Sequence, residues 1–159
     1  MSRRGLVLAA ALVLPWGSGD ALGAGAKRST LELSVILATH ADGGVSIDPQ
    51  LRDLPQLTRD QPFVRYNDYK LLARKRFPLE MGKPIEDSLV NGRTLRLVLD
   101  GVSEDAGARR YQMEAQIAEP GKAAFLRSLQ VTAGENQPFF VGGQSYRSGT
   151  LFLEVVILP

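Results

Sequence analysis

The chain has 159 residues, no cysteine and one histidine, with 19 basic and 17 acidic side chains. This length suits one domain with a genuine core, and the lack of cysteine excludes disulfides and thiolate ligands. A single histidine cannot supply the usual ligands of a zinc site. The near balance of charge gives no support for binding nucleic acid over the whole domain. We therefore expect no metal, no cofactor and no nucleic-acid partner.

The N-terminus has the order of a secretory signal peptide. Arg3 and Arg4 precede an apolar run over residues 6–15, and small side chains follow at Ala24 and Ala26. Signal peptidase accepts small side chains at the last and third-last positions before the cut. The sequence therefore predicts cleavage after Ala26.

Cleavage there would remove residues 1–26 and leave a single β-rich exported domain over residues 27–159. A transmembrane anchor is an alternative, but a spanning helix needs about 20 apolar residues, roughly twice the length of this run. A twin-arginine signal is another, with less support because Gly5-Leu6-Val7 departs from its usual continuation. No cysteine follows the run, which excludes a lipoprotein anchor. We expect a periplasmic or extracellular protein with no membrane span after cleavage.

The first half of the mature chain combines one strand with one short helix. Residues Ser29–Thr39 alternate between apolar and polar side chains, which predicts a half-buried strand. The pair Gly43-Gly44 interrupts this pattern with a turn. Asp48 then suits an N-cap and Pro49 the first helical position, while Pro55 limits the helix to one or two turns.

Residues Asp68–Leu79 form the second extended segment, and it is rich in basic side chains. Alternation places Lys70, Arg74 and Arg76 together on its outward face. Lys75 falls among the apolar positions, which indicates a bulge or an edge strand.

Turn signals divide the rest of the chain into short extended segments. Asn91-Gly92 is the strongest of them, and Gly142-Gly143 and Ser148-Gly149 are expected to punctuate the end. The final apolar segment suits a central strand that is covered on both faces. The predicted strands are Thr94–Leu99, Arg110–Ala118, Ala123–Val131, Pro138–Val141 and Leu151–Leu158.

The fold class predicted from these segments is all-β or mainly β. We expect an antiparallel β-sandwich or a partly open barrel of seven to eight short strands with one short helix.

Candidates for catalysis are few. His40 lies near Asp42, but no Gly-x-Ser-x-Gly elbow accompanies this pair, and an exposed turn histidine is the simpler interpretation. Glu154 is the one charged residue in the final apolar strand. Three interpretations are open for it: a paired residue at a barrel mouth, an outward edge residue or a catalytic acid. Asp42 and Asp48 lack the spacing of a dedicated calcium loop. We assign no catalytic residue.

The basic segment is the one local feature that suggests binding. Arg65 and Tyr66 precede it, and with Lys70, Arg74 and Arg76 they form our candidate set for a ligand or partner. Guanidinium groups bind phosphate and carboxylate in a bidentate manner, as an anionic headgroup or glycan would require. Basic side chains also protect edge strands from unwanted pairing, which is the alternative.

Two stretches carry a resemblance to known proteins. Gln137-Pro138-Phe139-Phe140-Val141-Gly142-Gly143, followed by Gly149-x-Leu151-x-Leu153, resembles the closing strands of small exported bacterial domains of unknown function. It is more remotely similar to a strand, glycine turn and strand arrangement in outer-membrane secretins. Phe63-x-x-Tyr66-x-x-Tyr69 fits the same exported pattern. The resemblance implies an exported β-domain and transfers no functional residue.

Three functions follow from these observations. The first is a non-enzymatic accessory or binding domain of the cell envelope, which docks to another protein through a sheet edge or the basic strand. The second is a periplasmic carrier of a small lipid-like ligand, with Arg65 or Tyr66 near its mouth. The third is an envelope hydrolase that uses Glu154 or His40.

Overall fold

The computed structural model describes residues 28–122 and 125–159, most of which lie in nine β-strands. In chain order the strands are β1 (Ser29–Thr39), β2 (Ser46–Ile47), β3 (Asp68–Leu79), β4 (Ile85–Ser88), β5 (Thr94–Asp105), β6 (Ala108–Ala118), β7 (Phe125–Gly134), β8 (Phe139–Tyr146) and β9 (Gly149–Leu158). Sheet A has the order β2-β3-β1-β9-β8, and sheet B the order β4-β5-β6-β7. All neighbours are antiparallel except β2 and β3.

The predicted all-β fold is confirmed, as two open sheets rather than a closed barrel. The count exceeds the expected seven to eight because β2 and β4 have only two and four residues. Segments this short carry too little alternation to be recognised in a sequence. The predicted strand that starts at Ala123 corresponds to β7, and its first two residues lie outside the described part of the chain.

The main core lies between the inner faces of the two sheets. Alternate apolar side chains of β1 and β9 meet those of β5 and β6, as period-two alternation requires. Burying one large apolar side chain contributes about 1.5–3 kcal/mol, so this layer dominates the stability of the sandwich. Its most buried members include Leu31, Leu33, Leu95, Leu97, Met113, Leu151 and Leu153.

A second apolar cluster covers part of the outer face of sheet A. Ile36 and Phe152 point outward from β1 and β9, and the connection over residues 40–67 packs on them. Phe63 and Leu57 bring the apolar side of this connection to the sheet. β9 is therefore buried on both faces, which confirms the prediction for Leu151–Leu158.

Short helices shape this connection. A 3-10 helix spans Pro49–Leu51, and the side chain of Asp48 accepts a hydrogen bond from the Gln50 amide at 2.9 Å. The predicted N-cap and first helical residue are thus confirmed. One α-helical turn, Gln56–Arg59, follows Pro55.

A bulge in β3 separates the basic side chains that were predicted to share one face. Leu71 pairs with Ile36 and Ala73 with Val35, so Leu72 is the extra residue.

Beyond this bulge, Arg74 and Arg76 point to the outer face with their partners on β1. Lys70 pairs with Leu37, whose side chain belongs to the inner core. The predicted common face of Lys70, Arg74 and Arg76 is therefore wrong, because one extra residue reverses the alternation.

Gly142-Gly143 lies inside β8 rather than in a turn. Gly142 pairs with Phe152 and Gln144 with Leu151, so the extra residue is Gly143, with φ of +86°. Glycine adopts this left-handed conformation without the steric cost that a Cβ imposes. The turn expected at these glycines is wrong, and the chain reverses later, between Tyr146 and Gly149.

The predicted signal peptide, residues 1–26, lies outside the described residues. Within the part of the chain that the structure describes, no helix has the length and apolar character needed to cross a membrane.

Candidate functional site

Arg74 and Arg76, two of the five predicted binding residues, are held by acceptors around them. Arg76 Nε donates to Glu32 Oε2 at 2.6 Å, and Arg74 Nε donates to Ser34 Oγ at 3.1 Å. The other end of the Arg74 guanidinium donates to the backbone carbonyl of Gln50 at 3.1 Å. These contacts give both arginines a structural role on the outer face of sheet A.

The other three predicted residues are scattered. Lys70 Nζ lies 3.3 Å from Asp68 Oδ2, with 65% of its side chain exposed. Arg65 is exposed at the end of a short 3-10 helix. Tyr66 is half-buried, and its hydroxyl lies 2.9 Å from Thr150 Oγ1, to which it donates. The structure therefore does not bring the five residues into one binding site.

Glu154 occupies a buried position on the outer face of β9. It is 5% exposed, and burial raises the pKa of its carboxyl group despite a hydrogen bond from Ser34 and the charge of Arg74. The nearby carboxylate of Glu32 raises the pKa further. This environment is typical of a polar side chain that is covered within a sheet, and an accessible general acid would be more exposed.

His40 is exposed, and its ring centroid lies 5.3 Å from that of Tyr66. Within the described residues it forms no hydrogen bond with Asp42. The same part of the chain holds no group of three or more His, Cys, Asp or Glu side chains placed to bind a metal ion.

Two clefts lie beside β8, and the first of them is lined by aromatic side chains. Phe63 lines it, and the centroid of its ring lies 4.7 Å from that of Phe140 and 4.8 Å from that of Phe152, in edge-on arrangements. The connection over residues 40–67 contributes one wall, and β8 and β9 contribute the other. This aromatic cleft of about 340 Å³ is lined by Pro62, Phe63, Tyr66, Phe140, Gly142, Gly143, Thr150 and Phe152.

Tyr69 holds the wall of the aromatic cleft in place. Its buried hydroxyl donates to the backbone carbonyls of Phe63 and of Leu57, the latter at 3.0 Å. Burial raises the pKa of this phenol, so the hydroxyl stays a donor. One side chain of β3 thus fixes the connection on which Phe63 and Tyr66 are carried.

The second cleft lies on the other face of β8, between the two sheets. Apolar side chains of β6, β7 and β8 form most of it, and Arg93 and Gln144 supply polar groups. This inner cleft of about 330 Å³ is lined by Arg93, Ala115, Ile117, Leu129, Val141, Gly142, Gly143 and Gln144.

Both clefts meet at Gly142 and Gly143 of β8, which is an edge strand of sheet A. An edge strand directs half of its backbone N–H and C=O groups away from its sheet, where another strand can pair with them. The geometry therefore combines an open strand edge with a pocket on each of its two faces.

No family model matches this chain, and neither a curated protein nor a solved structure matches it.

The segment that contains Gly142 and Gly143 stands out in the sequence, but its pattern does not reveal a site. Tyr66 was predicted as a binding residue beside the basic strand, Phe63 and Phe140 were noted only as part of a pattern, and Gln144 was not singled out. Their positions depend on two strands and a connection that are distant in sequence. The paired glycines within an aromatic, uncharged segment were the available signal, because a glycine inside a strand indicates a bulge.

Proposed function

We propose that this protein is a non-enzymatic binding module of the cell envelope that captures an extended segment of a partner protein as an added strand beside β8. The observation that carries this proposal is the pair of clefts that flank the open edge of β8 and meet at Gly142 and Gly143. In strand addition, backbone hydrogen bonds supply affinity, and pockets for alternate side chains supply specificity.

The charges on the edges of sheet A support the choice of β8. Beyond its short contact with β2, β3 carries Lys70, Arg74, Lys75, Arg76 and Pro78. Charged side chains and proline on an edge discourage pairing with another chain. β8 has no charged residue from Phe139 to Tyr146. One edge of the sheet is thus protected, and the other is open to pairing.

The edges of sheet B are less suited to the same role. β4 has four residues, two of which are the acidic Glu86 and Asp87. β7 is longer, but of the two clefts beside β8 it borders the inner one alone, through Leu129. A strand added at β8 would reach both clefts.

The carrier alternative receives less support from the core. A lipid carrier needs an apolar cavity, whereas the space between the sheets is filled by close-packed side chains such as Leu33 and Leu97, each 1% exposed. A further cleft of about 470 Å³ lies at the end of the sandwich near Met81 and Val102, both partly exposed.

Binding of an anionic headgroup or glycan by the basic strand also receives less support. Arg74 and Arg76 are engaged by Ser34 and Glu32, so an anion would have to compete with these acceptors. We therefore place the partner at β8 rather than at β3. The periplasm or the outside of the cell remains the proposed location, on the strength of the N-terminal sequence.

Selection from a random peptide library on the purified protein tests the proposal. We expect the selected peptides to have extended, largely apolar cores and to slow hydrogen–deuterium exchange of β8 amides. Ser145→Lys, which adds a charge to the exposed end of β8, should weaken binding by about tenfold.

Lys70→Glu changes charge on the opposite edge and serves as the matched control. Strand addition at β8 is wrong if peptides leave β8 amides unprotected. It is equally wrong if Lys70→Glu weakens binding as much as Ser145→Lys.

A further inference from the structure

Gln144 lines the inner cleft, and its side-chain amide has a buried donor without a partner among the described residues. Gln144 is only 6% exposed, and its Nε2 forms no hydrogen bond with any described atom. Buried polar groups in folded proteins are nearly always hydrogen-bonded, so each exception needs an explanation. A group that waits for a ligand is one such explanation.

Neighbouring hydrogen bonds determine which way this amide points. The backbone N–H of Arg93 can only donate, and it donates to Asn91 Oδ1 at 3.2 Å. Asn91 therefore presents Nδ2 to Gln144, and this nitrogen donates to Gln144 Oε1 at 3.1 Å. The oxygen of Gln144 is thus used, and its Nε2 donor is the atom left unpaired.

The bulge at Gly143 is the reason that Gln144 points into the inner cleft. Gln144 pairs with Leu151, an inner-face residue, whereas without the extra residue it would pair with Thr150 on the outer face. Bulges commonly redirect a side chain in this way. The chain thus uses a left-handed glycine in a strand to bury a polar group between two sheets.

A basic residue lines the same cleft. Arg93 lines it beside Gln144, and within the described residues its guanidinium forms no ion pair within 4.0 Å. Arg93 lies close enough to Glu119 to help lower the pKa of the Glu119 carboxyl group, and the effect of Lys122 on this pKa is larger. Glu119 is itself hydrogen-bonded to Lys122, which leaves Arg93 able to bind another acceptor.

We propose that the inner cleft binds the carboxylate of an Asp or Glu side chain carried by the added strand, through Gln144 Nε2 and the guanidinium of Arg93. This inference rests on the proposed strand addition at β8. Adjacent residues of a strand point to opposite faces, so the neighbour of the acidic residue would enter the aromatic cleft. The partner segment is therefore an extended strand whose one charged residue is acidic and stands next to an apolar residue.

Synthetic peptides of defined sequence test this specificity. The host peptide GTVTFEVTG places Phe and Glu at adjacent positions, and a second peptide replaces the Glu by Lys. We expect the wild-type protein to bind the Phe-Glu peptide about tenfold more tightly than the Phe-Lys peptide. Arg93→Glu should reverse the order, and Lys70→Glu should leave it unchanged.

Gln144→Leu measures the contribution of the amide to binding separately from that of Arg93. It should weaken binding of the Phe-Glu peptide by about fivefold and leave the Phe-Lys peptide unaffected. Its folded state is checked by thermal unfolding. In nuclear magnetic resonance spectra of the wild type, the Gln144 side-chain amide should shift with the Phe-Glu peptide and stay in place with the Phe-Lys peptide.

The outcomes distinguish the two proposals. Equal affinities for both peptides, with β8 amides protected by each, would overturn the carboxylate site and leave strand addition intact. Failure of both peptides to protect β8 amides would count against strand addition and the carboxylate site together. A preference for Glu that survives in both Arg93→Glu and Gln144→Leu would place the carboxylate outside the inner cleft.

Discussion

Asn91 and Gln144 form one of the side-chain hydrogen bonds that join the two sheets, with Asn91 Nδ2 lying 3.1 Å from Gln144 Oε1. Asn91 lies in the turn between β4 and β5, and Gln144 lies in β8. The bond crosses the open side of the sandwich beside the inner cleft. It therefore affects both the packing of the two sheets and the polarity of the cleft.

Removal of this bond should destabilise the protein. Asn91→Ala leaves the buried oxygen of Gln144 without a donor, so we expect a loss of about 1–2 kcal/mol in the free energy of unfolding, measured with urea. Gln130→Ala, at an exposed position in β7, is the control and should change stability by less than about 0.5 kcal/mol. Equal effects of the two substitutions would contradict a structural role for the bond.

Gly142→Ala should destabilise β8 through steric overlap. A Cβ at this position would overlap the ring of Phe152, which forms part of the aromatic cleft. Overpacking of this kind costs about 1–3 kcal/mol, and we expect a loss of thermal stability in that range. Gly44→Ala is the control, because a Cβ there has nothing within 4 Å. A fully stable Gly142→Ala protein would show that the ring can move aside.

Tyr69→Phe should loosen the connection over residues 40–67. The substitution leaves the carbonyls of Leu57 and Phe63 without their shared donor, at an expected cost of about 1–3 kcal/mol. Amides from Gln56 to Tyr66 should then exchange faster with deuterium. Tyr66→Phe removes a part-buried hydroxyl bonded to Thr150 and should have a smaller effect. The reverse ranking would contradict the anchoring role of Tyr69.

Glu154 makes a distinct contribution to the pH dependence of stability. Its pKa is raised in the folded protein by burial, so the folded state binds this proton more tightly than the unfolded state does. The contribution is favourable below the ordinary glutamate pKa of about 4.3 and is lost as pH rises through the folded value.

Glu154→Gln removes this titration. We expect its free energy of unfolding to improve relative to the wild type as pH rises from about 4 to 8. Urea denaturation at a series of pH values measures the difference between the two proteins. A difference that stays constant, or that changes with the opposite sign, would show that Glu154 is not held in this environment.

Much of the fold could be predicted from local patterns. Alternation in Ser29–Thr39 identified β1, and Asp48 with Pro49 identified the start of the 3-10 helix. The apolar run of Leu151–Leu158 identified a strand covered on both faces. These predictions are correct because period-two alternation and end-capping depend on residues a few positions apart. The signal peptide and the resemblance to exported domains stay predictions.

The candidate site could not be predicted in the same way. Lys75 indicated a bulge or an edge strand, but not where a bulge would lie, and Lys70 was placed with Arg74. The bulge lies at Leu72 and moves Lys70 to the other face. Gly142 and Gly143 were interpreted as a turn, although they keep β8 paired and redirect Gln144. A sequence can indicate that a bulge is present, but its position is defined by the register between two strands, and that register is settled by the packing of the whole sheet.

The sequence by itself determined that this chain forms short strands with an apolar core, because alternation, turn residues and the lack of cysteine act locally or through composition. Tertiary structure decided which strand became the open edge and which side chains met beside it. Asn91 and Gln144 are 53 residues apart, and no local pattern relates them. Their hydrogen bond exists because two sheets pack face to face and a glycine bulge turns one amide into the space between them.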